Sequence, residues 1–117
     1  AWIWVHAQNE QDFSIHRQAA QKGAWISLDG VSPTSIDRHV ELVLKLKQAD
    51  LLSQVLVSHD AGWYSVGELQ GGEYRPYDTL FQEFLPALKE GGVTDAEVRL
   101  LTVTNPANAF SAPVRGA

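Results

Sequence analysis

Three side chains stand where an apolar run gives way to polar residues. His6 follows Trp2–Val5, Asp29 follows Ala24–Leu28, and Asp60 follows Gln54–Ser58. A neutral imidazole at a strand end is a candidate metal ligand; it can equally be a hydrogen-bonded histidine closing the strand. An aspartate there is a hard oxygen ligand, or a base against activated water, or the start of an Asx turn. Asp29 is a candidate for orienting a ligand or a water from behind, against the alternative of an Asp-Gly turn with Gly30.

His59 directly precedes Asp60, and neighbouring strand residues face opposite ways. Asp60 is assigned to the site and His59 is expected to turn away. Beyond it, roughly 62–77 is a loop rich in Gly, Tyr and Trp, longer than most connections. Trp63, Tyr64, Arg75 and Tyr77 form either an aromatic substrate wall with one cation, or a cover that packs the loop down. His16 and His39 fall inside predicted helices and are expected to be solvated or at the core edge.

The elements that must position these residues alternate regularly. Short β-branched runs predict strands at 2–5, 24–28 and 54–58. Asn9, with Asp12 three residues on, predicts a helix through Lys22 that Gly23 stops. A second helix, about 35–49, carries Ile36, Val40, Val43, Leu44 and the stem of Lys47 on one side. Asp78 predicts a capped helix to Glu90 that Pro86 bends. Thr94 with Glu97 forms a capping box for a helix through Thr102, and Asn105-Pro106 starts a last short helix. The tail from Ser111 to Ala117 is expected to fray.

The order β-α-β-α-β-α-α-α predicts an α/β fold with a parallel sheet and right-handed crossovers. All strand carboxyl ends then share one rim, where α/β folds place their chemistry. Three strands leave one sheet edge open unless another segment covers it.

The chain has 117 residues, one domain's length, 44% hydrophobic and 20% charged. A formal net charge of -5 without a basic cluster argues against a nucleic-acid partner. With no cysteine, disulfides and thiolate metal sites are excluded, and the compartment, cytoplasmic or periplasmic, stays open. No apolar run approaches the length needed to span a membrane. Ala1 leads directly into a predicted strand and Met is absent, so the chain is expected to be part of a longer protein.

His6-Ala7-Gln8, the run Gly23 to Gly30, Val57-Ser58-His59-Asp60, the helix Tyr77 to Leu88, and Thr102 to Ala107 occur in that order. This ordered set resembles the C-terminal part of the phosphotriesterase family, within the amidohydrolase superfamily. The resemblance implies the last three βα units of a (β/α)8 TIM barrel, and a two-metal centre, usually zinc. A metal-activated hydroxide there attacks ester, lactone or organophosphate substrates. It further implies His6 as the sixth-strand ligand of one metal, and Asp60 as the eighth-strand ligand of the other and proton acceptor.

Departures from the family pattern carry their own expectations. The first-strand His-x-His pair, the fourth-strand bridging residue and the fifth-strand histidine have no counterpart. The missing N-terminal barrel half is therefore a required partner, in cis or in trans, and the chain alone is expected to be inactive. Gly30 stands where efficient organophosphate hydrolases carry a histidine, and Asn9 where they carry an acid. Lactone or other ester hydrolysis is thus at least as well supported as phosphotriester cleavage. The competing expectation is a non-catalytic α/β interaction module, a homodimer through its open sheet edge, with His6 and Asp60 incidental.

Overall fold

Parallel pairing sets the frame on which everything else is mounted. The computed structural model describes residues 1–112. It contains β1 (Ile3–Trp4), β2 (Trp25–Leu28) and β3 (Val55–Val57) in the sheet order β1-β2-β3. Ile3 pairs with Trp25 and Trp4 with Ile26; across the other edge of β2, Ile26, Ser27 and Leu28 pair with Val55, Leu56 and Val57. The predicted strands are present, each with a hydrogen-bonded core shorter than expected, the second by one residue.

The first helix starts later than its sequence suggests. His6 takes a left-handed conformation and Ala7–Asn9 form a 3₁₀ turn, so Asn9 lies inside that turn. The cap of α1 (Phe13–Gln21) is Asp12, which accepts the Ser14 amide. The second helix, α2 (Ile36–Gln48), matches its expected extent, but its innermost face is His39, Leu42, Val43 and Leu46. Ile36, Val40 and Leu44 are only partly buried beside it. Lys47 lies on the flank, its ammonium donating to the Gly92 carbonyl and to Glu97.

His16 and His39 are 0% and 1% exposed, not solvated. Each reconciles an imidazole with burial by hydrogen-bonding a loop carbonyl. The His16 Nε2 reaches Ala7 O at 2.6 Å, and its ring stacks with Trp4 and Phe13.

Both prolines expected to bend or start a helix are absorbed in the same way. Leu80–Phe84 form a π-helical segment that runs into α3 (Leu85–Glu90), where Pro86 lies in the first turn. The wider turn lets the backbone pass a residue that has no N–H to donate. Asp78 opens this helix through its carbonyl, which accepts from Phe81 and Gln82, while its carboxylate takes the Gln82 side chain. Farther on, α4 (Asp95–Arg99) begins with the expected Thr94–Glu97 capping box. It continues through a second π-helical segment, Leu100–Thr104, into α5 (Asn105–Phe110).

Asn105 is therefore not a cap. It is a buried helical residue whose amide donates to Leu52 O and Val55 O, both at 2.8 Å. Ser58 bonds toward β2 through both amide and carbonyl. By strand alternation the Val55 carbonyl points to the outer edge of β3, where Asn105 satisfies it.

The core joins Ile26, Leu28 and Val55 of the sheet to Leu42 and Leu46 of α2 and to Phe84, Leu88 and Leu101 of the later helices. The edge of β1 is different. Trp2, Val5 and Ile15 are all at least 40% exposed there, and Trp2, Trp4 and Ile15 border a groove of about 510 Å³. Ser111 and Ala112 are exposed; the remainder of the tail expected to fray lies outside the described residues. Among the described residues no helix is long and apolar enough to cross a membrane.

Two outcomes follow for stability. Replacing Asn105 with Leu keeps the volume but strands two carbonyls, and should lower unfolding free energy by about 2 kcal/mol in urea titration. Glu97 is held below the ordinary glutamate range by Lys47 first and the Thr94 amide next. The stability it contributes is complete above its ordinary value of 4.5 and lost as pH falls through the depressed folded value. A Glu97→Gln variant should flatten that part of the acid-unfolding profile while keeping a capping side chain.

Candidate metal centre

Two of the three candidate residues end their strands in the same unusual way. His6 has φ of 54° and Asp60 has φ of 49°, in the left-handed region that non-glycine residues seldom occupy. Such a kink turns each side chain from the strand direction to the rim. Backbone strain of this kind persists where the surroundings over-determine it, and here those surroundings are visible.

Around His6, the restraint is Asp29, which is 6% exposed. One carboxylate oxygen accepts the His6 amide at 2.7 Å. The other accepts the His6 ring Nδ1 at 2.6 Å and the Gln8 side-chain amide at 3.0 Å. Burial alone would raise the Asp29 carboxyl; the hydrogen bonds from Gln8, the His6 amide and the His6 ring outweigh it and hold it below the ordinary aspartate range. The same contact raises the His6 ring, through the hydrogen bond to Asp29 and its charge, against a smaller effect of burial and with help from the Asp60 charge.

At Asp60, two donors converge on the main-chain oxygen. Trp63 Nε1 reaches it at 3.0 Å and an Arg75 guanidinium nitrogen at 2.9 Å. His59 is directed elsewhere: its Nε2 accepts the Leu80 amide at 2.8 Å, at the entry of the helix that follows the loop, and its ring lies beside Phe81.

His6, Asp29 and Asp60 each place one candidate ligand atom within 4.8 Å of the others. With Nδ1–H donated to Asp29, the lone pair of His6 Nε2 has no partner among the described residues. A histidine oriented by a carboxylate in this manner is the usual arrangement for a metal-binding imidazole. Both Asp29 oxygens already accept hydrogen bonds, so the freer donors are His6 Nε2 and the Asp60 carboxylate. Nitrogen and carboxylate donors together suit a divalent cation such as zinc.

The four loop residues divide. Trp63 and Arg75 are tied to the Asp60 carbonyl. Tyr77 and Tyr64 instead sit on glycines: a Cβ at Gly62 would fall 1.5 Å from the Tyr77 hydroxyl, and one at Gly71 would fall 2.2 Å from the Tyr64 ring. Trp63, Tyr64 and Tyr77 remain more than 60% exposed, so packing of the loop and an exposed aromatic wall coexist. Arg75 also lines, with Ser32, Thr34, Glu73 and Tyr74, a pocket of about 370 Å³ between this loop and the turn after β2.

Sequence reasoning missed the residues behind the site. Gln8, Arg38 and His39 hydrogen-bond the loops that carry His6 and Asp29. Only His39 left a trace in the sequence: its spacing from Ile36 and Val43 places it on the apolar side of its helix.

Comparison with known proteins gives the family and the fold of the chain. The sequence pattern described as the phosphotriesterase family matches residues 3–110. The phosphotriesterase homology protein of Escherichia coli K12 is 28% identical over 91 residues, which is 75% of this chain and 30% of that protein. A resiniferatoxin-binding protein from Rhodobacter sphaeroides superposes with a TM-score of 0.77 at 26% identity, covering 98% of this chain and 35% of the other. The Mycobacterium tuberculosis phosphotriesterase superposes with a TM-score of 0.76 at 19% identity, covering 93% and 36%. The Escherichia coli protein has also been solved with phosphate in its active site; it superposes at 0.70 and 24% identity over 85% of this chain and 34% of its own. The chain thus spans about a third of the length of the relatives it matches. Its α/β architecture is that of a partial (β/α)8 barrel.

The site geometry makes two checkable statements. Asp29→Asn removes the charge that raises His6, so the His6 titration followed by NMR should move down toward 6.5. In the metal-free chain, the raised His6 contributes stability that is complete below 6.5 and lost as pH rises through the folded value. A Gly62→Ala substitution should dislodge Tyr77, seen as a change in tyrosine fluorescence, with little effect on the core.

Proposed function

The chain belongs to the phosphotriesterase family, and on that premise we propose that it carries part of the active centre of a metal-dependent hydrolase. Its substrates are esters, lactones or phosphoesters. The observation that supports this reading most directly is the approach of His6, Asp29 and Asp60 ligand atoms to within 4.8 Å of one another at the strand carboxyl ends.

His6 through Nε2 and Asp60 through its carboxylate would hold divalent metal, two zinc ions in the complete enzyme, with Asp29 fixing the imidazole. When bound, such ions polarise the bond under attack and make water nucleophilic at neutral pH. The Asp60 carboxylate accepts the proton released by the attacking water. Asp29 keeps the His6 Nδ1 proton engaged, so that the ring offers its other nitrogen. Trp63, Tyr64, Arg75 and Tyr77 border the substrate, with Trp63 and Arg75 also restraining the Asp60 main chain.

Two free donors fall short of the ligand set of a two-metal site. The reading therefore includes further ligands from the N-terminal part of a complete barrel, in cis or in trans. The phosphate in the active site of the Escherichia coli relative is consistent with a site that receives oxyanions. Because Gly30 and Asn9 replace a histidine and an acid of efficient organophosphate hydrolases, lactone and carboxylic ester hydrolysis are at least as well supported as phosphotriester cleavage.

The test is to combine this chain with a segment supplying the complementary barrel strands, and to measure zinc content and hydrolysis of esters, lactones and phosphotriesters. Zinc uptake and hydrolysis should require both parts, and Asp60→Asn should lower the rate by roughly 100-fold or more. A correctly folded reconstituted barrel that takes up no metal and hydrolyses none of these substrates would overturn the proposal.

A further inference from the structure

We propose that Arg38 and His39, neighbours in the first turns of α2, are positioning residues that preset the His6 imidazole for its ligand; the inference rests on the reading of His6 as a metal ligand. His39 Nε2 donates to the Asp29 carbonyl oxygen at 2.6 Å, and Nδ1 faces the Ser35 carbonyl one turn back at 2.9 Å. The ring meets Phe84 edge-on and is 1% exposed. The main chain of Asp29 is thereby held to α2, at the residue whose carboxylate grips both the ring and the amide of His6.

Arg38 acts on the other loop. Its guanidinium donates to Glu10 O at 2.6 Å and to Gln8 O at 3.3 Å. The Gln8 side chain in turn donates to Asp29 at 3.0 Å. The circuit closes: α2 holds Asp29 through His39 and the main chain of Gln8 through Arg38, and Gln8 and Asp29 are bonded to each other. A leucine at position 39 would fill the same space against Phe84 without needing a partner. An imidazole there is useful because it carries a donor to the Asp29 carbonyl.

The consequence is a choice of tautomer. Neutral histidine in water carries its proton mainly on Nε2, the nitrogen a metal would need. Contact with Asp29 at 2.6 Å draws the proton to Nδ1 and leaves Nε2 bare. If the β1 and β2 loops drift apart, that contact loosens and the proton returns to Nε2.

The experiment uses the metal-free chain, with the His6 ring nitrogens followed by ¹⁵N NMR under conditions where the ring is neutral. The wild-type chain should show His6 protonated on Nδ1. His39→Leu should lower the Nδ1–H to Nε2–H ratio roughly three- to tenfold, the size expected when one hydrogen bond is lost, and His39→Gln, which restores a donor, should recover part of it. Arg38→Met, at a half-exposed position, provides the same test if His39→Leu does not fold. An unchanged His6 tautomer in folded variants would overturn the inference. A separate zinc titration of the reconstituted barrel addresses the ligand role: failure to bind zinc despite a shifted tautomer would remove that role and leave the positioning circuit standing.

Discussion

A carboxylate taken out of water must find donors, and at Asp29 that requirement organises the rim of the sheet. Its oxygens are satisfied by the amide and ring of His6 and by Gln8, all from the loop after the neighbouring strand. One buried charge therefore fixes the ends of β1 and β2 against each other and sets the direction of the imidazole. It also accounts for the left-handed backbone at His6, since the amide of that residue must turn back toward the carboxylate to donate to it. The strain is offset by a short charge-assisted hydrogen bond.

Helices supply what the strands cannot. His16, Arg38 and His39 project from α1 and α2 to the carbonyls of Ala7, Gln8, Glu10 and Asp29. Irregular backbone at a strand end leaves carbonyls without ladder partners, and a buried carbonyl without a donor is costly. Polar side chains on the sheet-facing side of these helices meet that need and make the loops stiff. Asn105 does the same at the opposite end, satisfying Leu52 and Val55 at the outer edge of β3. The π-helical segments before Pro86 and Pro106 allow the final helices to stay continuous and keep Asn105 in place.

The two sheet edges differ in a way that fits a partial barrel. The start of β3 is closed by its own final helix, whereas β1 is flanked by exposed Trp2, Val5 and Ile15. Exposed apolar surface of this kind beside a strand edge that has no partner among the described residues marks a place for further structure. The family relatives, of which this chain spans about a third, are correspondingly longer.

Much of the architecture could be read from residue pattern. Alternating apolar runs and capped helices specify strands and helices because each depends on neighbours within a few positions. The Thr94–Glu97 box and the stop at Gly23 are cases where the local chemistry suffices. The same locality explains the misreadings. Asn9 has the chemistry of a cap but is drawn into a 3₁₀ turn by the backbone of His6, leaving Asp12 to cap the helix. Asn105 has the chemistry of a cap but is needed by carbonyls some fifty residues away. From local pattern His16 and His39 are expected at the core edge or in solvent, because the carbonyls that justify their full burial belong to other elements. By itself, then, the sequence determined the order of elements, the parallel sheet and the presence of His6, Asp29 and Asp60 at strand ends. Tertiary structure alone decided that Asp29 would bond His6 and that both would lie beside Asp60. Hydrogen bonds between distant segments exist only once packing has desolvated their partners and brought them into range.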